Sequence, residues 1–184
     1  PQTGYPYLIE TSVTYVLRVD GIDVTHTLTN QSTTAAPVAL GTHPFLTIGD
    51  VETRDLVLKV PAQTAIDTDE RNLPIGTSPA DAALRDGIRL GDSSLDTGFT
   101  DLERDPDGLV RSSLTAPDGR RVTLWQGAGF NYVQAFTTDK YPGQPLAVAI
   151  EPMTAPADAF NSGAGIRHLD PGETWTLEWG ITLD

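Results

Sequence analysis

Cysteine is absent from the 184 residues of the chain. The chain therefore cannot form disulfides, bind zinc through thiolates or use a thiol as a nucleophile. Long apolar stretches are also missing, and none approaches the roughly 18 residues that a membrane-spanning helix needs. The sequence therefore gives no reason to expect a membrane partner.

Basic residues are scarce. The chain has 12 Lys and Arg residues against 25 Asp and Glu residues, which gives a formal net charge of −13. An acidic surface repels nucleic-acid phosphates and anionic lipid headgroups. We therefore expect neither nucleic acid nor a membrane surface to bind this protein.

Sustained helical periodicity is missing as well, whereas short alternating segments and turn residues recur along the chain. Alternating runs flank Asp20-Gly21 and predict a β-hairpin. A second hairpin is predicted around Pro117-Asp118-Gly119, and residues 175–183 alternate as a strand. Residues 61–94 are rich in Asp, Gly, Pro and Ala, and we interpret them as a long loop with short strand pieces near a site. The pattern predicts one all-β domain over residues 1–184, an antiparallel β-sandwich.

The first candidate for a catalytic residue is Glu151. Residues 146–150 form an uninterrupted apolar run, which predicts a buried strand, and Glu151 follows them directly. Pro152 keeps Glu151 extended, so its carboxylate should leave the sheet at the rim. Partial burial there would raise its pKa toward the range of a general base. Alternatively, the carboxylate caps the next loop by accepting hydrogen bonds from backbone N–H groups around residues 154–158.

Two histidines lie on predicted strands. His43 precedes Pro44, which favours extended backbone at a strand end, where an imidazole is suited to acid–base chemistry near neutral pH. A structural role for a single histidine is the alternative. His26 lies in the apolar register of the first hairpin, and we interpret it as a histidine at the edge of the core with one nitrogen hydrogen-bonded.

Asp96 and Gln134 are candidates for polar contacts to a ligand. The Asp96 carboxylate can accept two hydroxyl hydrogen bonds at once, although an Asx turn would explain it equally. Gln134 shares a strand face with Tyr132 and Phe136. For Phe136, and likewise for Trp125, an ordinary core position is our expectation.

Three segments resemble one family. The string Glu-Pro-Met-Thr-Ala-Pro-Ala-Asp-Ala-Phe-Asn over residues 151–161 resembles the C-terminal signature of the aldose 1-epimerases, the galactose mutarotase-like sugar epimerases. The segments His43-Pro44-Phe45 and Gln134-Ala-Phe-Thr137 are similar to two further family segments, although many members have Tyr where this chain has Phe45. The resemblance covers essentially the whole chain and implies the mutarotase-like β-supersandwich.

The resemblance also implies roles for individual residues. Glu151 would be the catalytic base and His43 the general acid, while Asp96 and Gln134 would contact sugar hydroxyls. It implies no cofactor and no metal, and it leads us to expect a cytoplasmic enzyme. The family's N-terminal third would supply an Arg and another His, so we expect this chain to be the C-terminal two thirds of such a protein. A missing N-terminal segment or a second copy of the chain is then an expected partner.

The resulting hypothesis is an isomerase that interconverts the α and β anomers of a hexose, its small-molecule partner. A hexose-6-phosphate epimerase is a close alternative that would need basic residues for the phosphate, and none is clustered beside the motifs. A carbohydrate-binding β-sandwich without catalysis is a second alternative. A purely structural β-domain is a third, and it predicts that His43 and Glu151 lie far apart.

Overall fold

The computed structural model describes residues 2–184. Strands make up 50% of the chain and helix 8%, which confirms the all-β prediction. In chain order the strands are β1 (Ile9–Leu17), β2 (Gly21–Asn30), β3 (Ala36–Val38), β4 (Phe45–Leu46), β5 (Val57–Lys59), β6 (Ala62–Thr68), β7 (Pro74–Pro79), β8 (Ile88–Arg89), β9 (Asp96–Leu102), β10 (Val110–Thr115), β11 (Arg121–Gln126), β12 (Tyr132–Thr138), β13 (Ala147–Met153), β14 (Arg167–Leu169) and β15 (Thr174–Leu183). The α-helices are α1 (Ala82–Asp86) and α2 (Ala159–Ser162), and single 3-10 turns occur at Thr53–Asp55 and Leu90–Asp92. Within residues 2–184, neither helix has the length and apolar character required to cross a membrane.

The strands form two large antiparallel sheets and one small one. Seven strands form the first sheet in the order β1-β2-β15-β11-β10-β5-β8. Six strands form the second in the order β4-β13-β12-β9-β6-β7, and β14 pairs with β3 separately. One continuous cluster of buried apolar side chains includes Leu114 and Leu124 from the first sheet and Val133 and Ile150 from the second. The core therefore lies between the two large sheets, as a β-sandwich requires.

The predicted hairpins are confirmed. Strands β1 and β2 pair from Leu17↔Ile22 outward, and the Arg18 amide donates to the Gly21 carbonyl across the turn at 2.8 Å. Strands β10 and β11 pair from Thr115↔Arg121. The apolar run before Glu151 is also a buried strand, since residues 147–150 of β13 are all buried.

The prediction of a long loop over residues 61–94 is wrong for most of that range. It contains β6, β7, α1 and β8, and β6 pairs with β7 as a hairpin at the edge of the six-stranded sheet. Alanine and threonine on β6 hide its alternation, and both ends of β7 are prolines, Pro74 and Pro79. An edge strand tolerates proline because one side of its backbone needs no ladder hydrogen bonds.

His26 is a buried structural histidine, as its register predicted. Its Nε2 accepts a hydrogen bond of 2.9 Å from the indole N–H of Trp179, which is also buried. Burial lowers the pKa of His26 because the charged imidazolium would be desolvated. The third histidine, His168, is exposed.

Gln126 links the core to the strand that carries a candidate site residue. Its side chain is fully buried at the end of β11, and its Nε2 donates to the carbonyls of Phe130 and Tyr132 at 3.0 and 3.1 Å. These bonds tie down the turn that leads into β12. Backbone carbonyls buried without a donor are costly, so the amide group holds this turn in place.

We expect Gln126→Leu to lower the free energy of unfolding by about 2–4 kcal/mol, because it keeps the volume but removes the donor to two carbonyls. Urea unfolding measures this change. Gln63→Leu is the matched control, since the Gln63 side chain is exposed and donates a hydrogen bond to the exposed Glu103 carboxylate. Equal stability of the two variants would contradict this role for Gln126.

Candidate active site

The register of the six-stranded sheet brings three candidate residues close together on one face. Gln134 on β12 lies directly opposite Glu151 on β13 and opposite Gly98 on β9. On the other side of β13, Phe45 pairs with Ala149, so His43 continues this pairing opposite Glu151. Directly opposed residues in antiparallel strands present their side chains on the same face. His43, Glu151 and Gln134 therefore form a row across three strands, on the face turned away from the core.

The centre of the row is a contact between the proposed acid and the proposed base. His43 Nε2 lies 3.1 Å from Glu151 Oε1. The His43 side chain is 52% exposed and that of Glu151 only 13%. The two residues therefore meet at the mouth of a cavity, with the carboxylate beneath the imidazole. This proximity contradicts the hypothesis of a purely structural domain, which places them far apart.

Aromatic rings orient the imidazole. His43 stacks on Phe45 with ring centres 4.9 Å apart and planes at 26°, and it meets the edge of Phe136 at 5.8 Å. Phe136 lies on the cavity face, so our expectation of a core position for it is wrong. The reason is strand alternation, because residues 133 and 135 of β12 point into the core and residues 134 and 136 point away.

Burial raises the pKa of Glu151 above its ordinary value, and it is the largest influence on this group. The neighbouring His43 charge lowers the pKa of Glu151 and the Asp96 charge raises it, with a net upward shift. The loop-capping interpretation of Glu151 is wrong within residues 2–184. Its carboxylate contacts His43, whereas the Thr154 amide donates to the Leu40 carbonyl at 2.8 Å.

Asp96 and Gln134 form a polar pair beside Glu151. The Gln134 Nε2 donates to Asp96 Oδ1 at 2.7 Å, and the carboxylate is exposed toward the cavity. Gly98 leaves room for this pair, because a Cβ added there would lie 3.0 Å from Gln134 Oε1. The hydrogen bond to Gln134 replaces the Asx turn considered for Asp96, and both side chains remain able to bond a ligand.

All four predicted site residues line one cavity of about 380 Å³. Sequence reasoning missed part of its wall, which comes from the β6–β7 hairpin and from the segment after Glu151. These residues are Ile66, Thr68, Asn72, Pro74, Met153, Ala155, Pro156 and Ala157. The segment after Glu151 belongs to the motif string, and the hairpin lies in the range expected to cross a site. Hydrophobic patterning alone cannot identify such wall residues.

No group of three or more His, Asp or Glu side chains in residues 2–184 has the arrangement of a metal site. The side chains around this cavity can transfer protons and can hydrogen-bond a polyol. The partly buried carboxylate can act as a base, the imidazole can act as an acid, and Asp96 and Gln134 can accept and donate hydrogen bonds.

Comparison with known proteins gives consistent matches. A family model described as aldose 1-epimerase matches residues 1–182. The uncharacterized protein YihR of Escherichia coli strain K12 is 27% identical over 185 residues, which cover 98% of this chain and 58% of that protein. This chain therefore spans less than two thirds of the length of that relative.

Solved structures share the fold. A galactose mutarotase-like protein from Clostridium acetobutylicum superposes with a TM-score of 0.84 at 18% identity, covering 98% of this chain and 57% of that one. The GalM/aldose epimerase homologue from C. elegans superposes with a TM-score of 0.80 at 16% identity, covering 98% and 61%. At these identities the likeness establishes the fold and confirms the predicted mutarotase-like β-sandwich.

The raised pKa of Glu151 predicts a stability cost. A carboxyl that binds its proton more tightly in the folded state makes the free energy of unfolding fall as pH rises from about 4.5 through the folded-state pKa. We therefore expect Glu151→Gln to raise the melting temperature at pH 7.5, and the gain to shrink as the pH approaches 4.5. Thermal unfolding followed by circular dichroism across this range measures the effect. Glu52→Gln, at an exposed position, is the control, and a gain independent of pH would contradict the assignment.

Proposed function

The chain belongs to the aldose 1-epimerase family, and we propose that it interconverts the α and β anomers of an aldohexose. The observation that carries this proposal is the His43–Glu151 contact of 3.1 Å beside the Asp96–Gln134 pair. A base and an acid next to hydroxyl-binding groups are what ring opening and closure of a sugar needs. Because the chain spans only part of its relatives' length, the activity is proposed for the protein that contains it.

The proposed reaction begins with two proton transfers. The Glu151 carboxylate takes the proton of the anomeric hydroxyl while the His43 imidazolium donates a proton from Nε2 to the ring oxygen. The C1–O5 bond breaks, its electron pair stays on O5, and C1 becomes the aldehyde carbon. Rotation about C1–C2 then presents the other face of the aldehyde. Ring closure returns the proton of O5 to His43 and that of Glu151 to the anomeric oxygen, so the enzyme ends in its starting state.

The electrostatics of the pair support these roles. A general base is most effective when its pKa lies near the working pH, and burial moves the pKa of Glu151 in that direction. The sugar hydroxyls would displace the Asp96–Gln134 bond or share it, since both groups have unused hydrogen-bonding capacity. Phe136 offers an apolar surface beside them.

The charge of the cavity favours a neutral hexose over a hexose 6-phosphate. Among the described residues that line it, none is Lys or Arg, whereas Asp96 and Glu151 are acidic. Within this chain, a phosphate group placed there would be repelled by the two carboxylates and would find no bidentate cationic partner. We therefore place the hexose-6-phosphate alternative second, and a comparison of glucose with glucose 6-phosphate as substrates distinguishes the two.

We expect Glu151→Gln and His43→Asn each to lower kcat for mutarotation by about 10²–10⁴-fold, because each removes one positioned proton-transfer group. Polarimetry of freshly dissolved α-D-glucose and α-D-galactose measures the rate. Glu52→Gln and His168→Asn are matched controls, since they remove the same chemical groups at exposed positions away from the cavity.

The same experiment tests the binding-module alternative. Suppose that calorimetry shows the unaltered protein binding glucose, while the α and β anomers of glucose interconvert only at the uncatalysed rate. The protein is then a carbohydrate-binding module. If the unaltered protein is active and both variants keep full activity, the assignment of acid and base is wrong.

A further inference from the structure

His43, the proposed acid, lies at the exposed edge of the six-stranded sheet. It precedes the two-residue strand β4, and its side chain is 52% exposed. The Glu151 carboxylate gives the imidazole a polar contact at 3.1 Å. A half-exposed side chain at a strand edge has several staggered conformers open to it. Packing against the imidazole ring is therefore needed to keep its Nε2 over the carboxylate.

Three aromatic rings form a cluster that provides this packing. Phe45 stacks on the imidazole, and its ring centre lies 6.4 Å from that of Phe136, with the planes at 74°. The third ring is Tyr141, whose centre lies 4.6 Å from that of Phe45 with the planes tilted by 49°. Phe45 is only partly buried, so its conformation depends on these two neighbours. The position of His43 depends on them in turn, through Phe45.

A tight turn between β12 and β13 fixes the backbone of Tyr141. Residues 141–144 read Tyr-Pro-Gly-Gln, and the Gln144 amide donates to the Tyr141 carbonyl at 3.2 Å. Gly143 has a φ of 78°, which residues with a side chain rarely adopt. Proline at the second position, a glycine of positive φ at the third and the closing hydrogen bond are the features of a type II turn. The turn therefore restricts where the Tyr141 ring can lie.

Tyr141 lies outside the cavity. The residues of the described chain that line the cavity include His43 and Phe136 but neither Phe45 nor Tyr141. Tyr141 is also 40% exposed, so it contributes less to the core than a fully buried ring would. Its close contact with Phe45 is thus the feature that connects it to the site.

We propose that Tyr141 is a positioning residue for His43: it supports Phe45, and Phe45 keeps the imidazole over Glu151. The effect on catalysis rests on the proposed mutarotase function, whereas the effect on the position of the imidazole does not. Because Tyr141 lies outside the cavity, loss of its ring should impair proton transfer to the ring oxygen and leave sugar binding nearly unchanged.

Proton NMR tests the packing independently of catalysis. The chain has three histidines, and His43→Asn identifies the ring signals of His43. We expect nuclear Overhauser effects (NOEs) between the ring protons of His43 and Phe45, whose ring centres are 4.9 Å apart. Tyr141→Ala should lose these NOEs, and Tyr141→Phe should keep them because it retains the ring. Tyr15→Ala is the control, since Tyr15 is 65% exposed on β1 of the other sheet.

Two glycine variants test the turn while every aromatic ring stays in place. Gly143→Ala puts a side chain at positive φ in open space, so it disturbs the turn alone. Gly172→Ala is the matched control. Gly172 follows Pro171 in a similar turn at φ 79°, also in open space, and the Glu173 amide donates to the Asp170 carbonyl at 2.9 Å. We expect Gly143→Ala to weaken the NOEs of His43 and Gly172→Ala to preserve them.

Polarimetry with glucose measures the effect on the reaction. We expect Tyr141→Ala to lower kcat by about tenfold, since a displaced catalytic group transfers its proton less efficiently. The KM for glucose should stay within about twofold, because the variant leaves the cavity walls intact. Tyr141→Phe should retain kcat.

The two proposals fail differently. The positioning role is overturned if Tyr141→Ala keeps the NOEs, if it keeps full kcat in an active protein, or if Tyr141→Phe loses the NOEs as well. If Tyr141→Ala does not fold, unchanged NOEs in Gly143→Ala overturn it instead. Loss of the NOEs in Tyr141→Ala, in a protein whose unaltered form catalyses no exchange of anomers, would support the positioning of His43 and overturn the mutarotase function.

Discussion

The pairing register of β13 with β12, and of β12 with β9, is the constraint on which the site depends. It places Glu151 opposite Gln134, and Gln134 opposite Gly98. Side chains alternate between the two faces of a strand, so a shift by one residue would turn these groups into the core. The buried partners Val133 and Ile150 prevent that shift, because it would move them to the outer face and bring Gln134 and Glu151 into the core. Hydrophobic burial on the inner face of the sheet thus determines the polar arrangement on its outer face.

The site holds the Glu151 carboxylate on a paired β-sheet, and the charged carboxylate lowers the free energy of unfolding. The raised pKa of Glu151 follows from its burial and from the nearby charge of Asp96, which together outweigh the lowering effect of the His43 charge. A carboxyl group whose pKa is raised by burial is a destabilised anion at neutral pH. The edge strand β4 and the stacked ring of Phe45 hold His43 over Glu151, and the buried Gln126 anchors the start of β12.

Charge and shape together limit what the outer face can accept. The cavity carries acidic and hydroxyl groups on apolar walls, and the described residues around it include no Lys or Arg. Such a surface discriminates by repulsion as well as by contact, since anions are disfavoured wherever they approach it. The hairpin of β6 and β7 forms one wall of the cavity, so this edge of the sheet contributes to its shape.

Local chemistry in the sequence was enough to predict the hairpins and the buried strand before Glu151, and the family resemblance indicated four residues that line one cavity. Turn residues, period-2 alternation and the Glu151 motif each involve only a few neighbouring positions. They can therefore be recognised in the sequence without knowing how the strands pair. The β6–β7 hairpin escaped that reading because its alanines, threonines and prolines leave no hydrophobic period. The position of Phe136 on the cavity face, the contact of His43 with Glu151 and the hydrogen bond of Gln134 to Asp96 depend on the tertiary structure. Those contacts join residues far apart in the chain, and they form only when the strands pair in one register around a shared core.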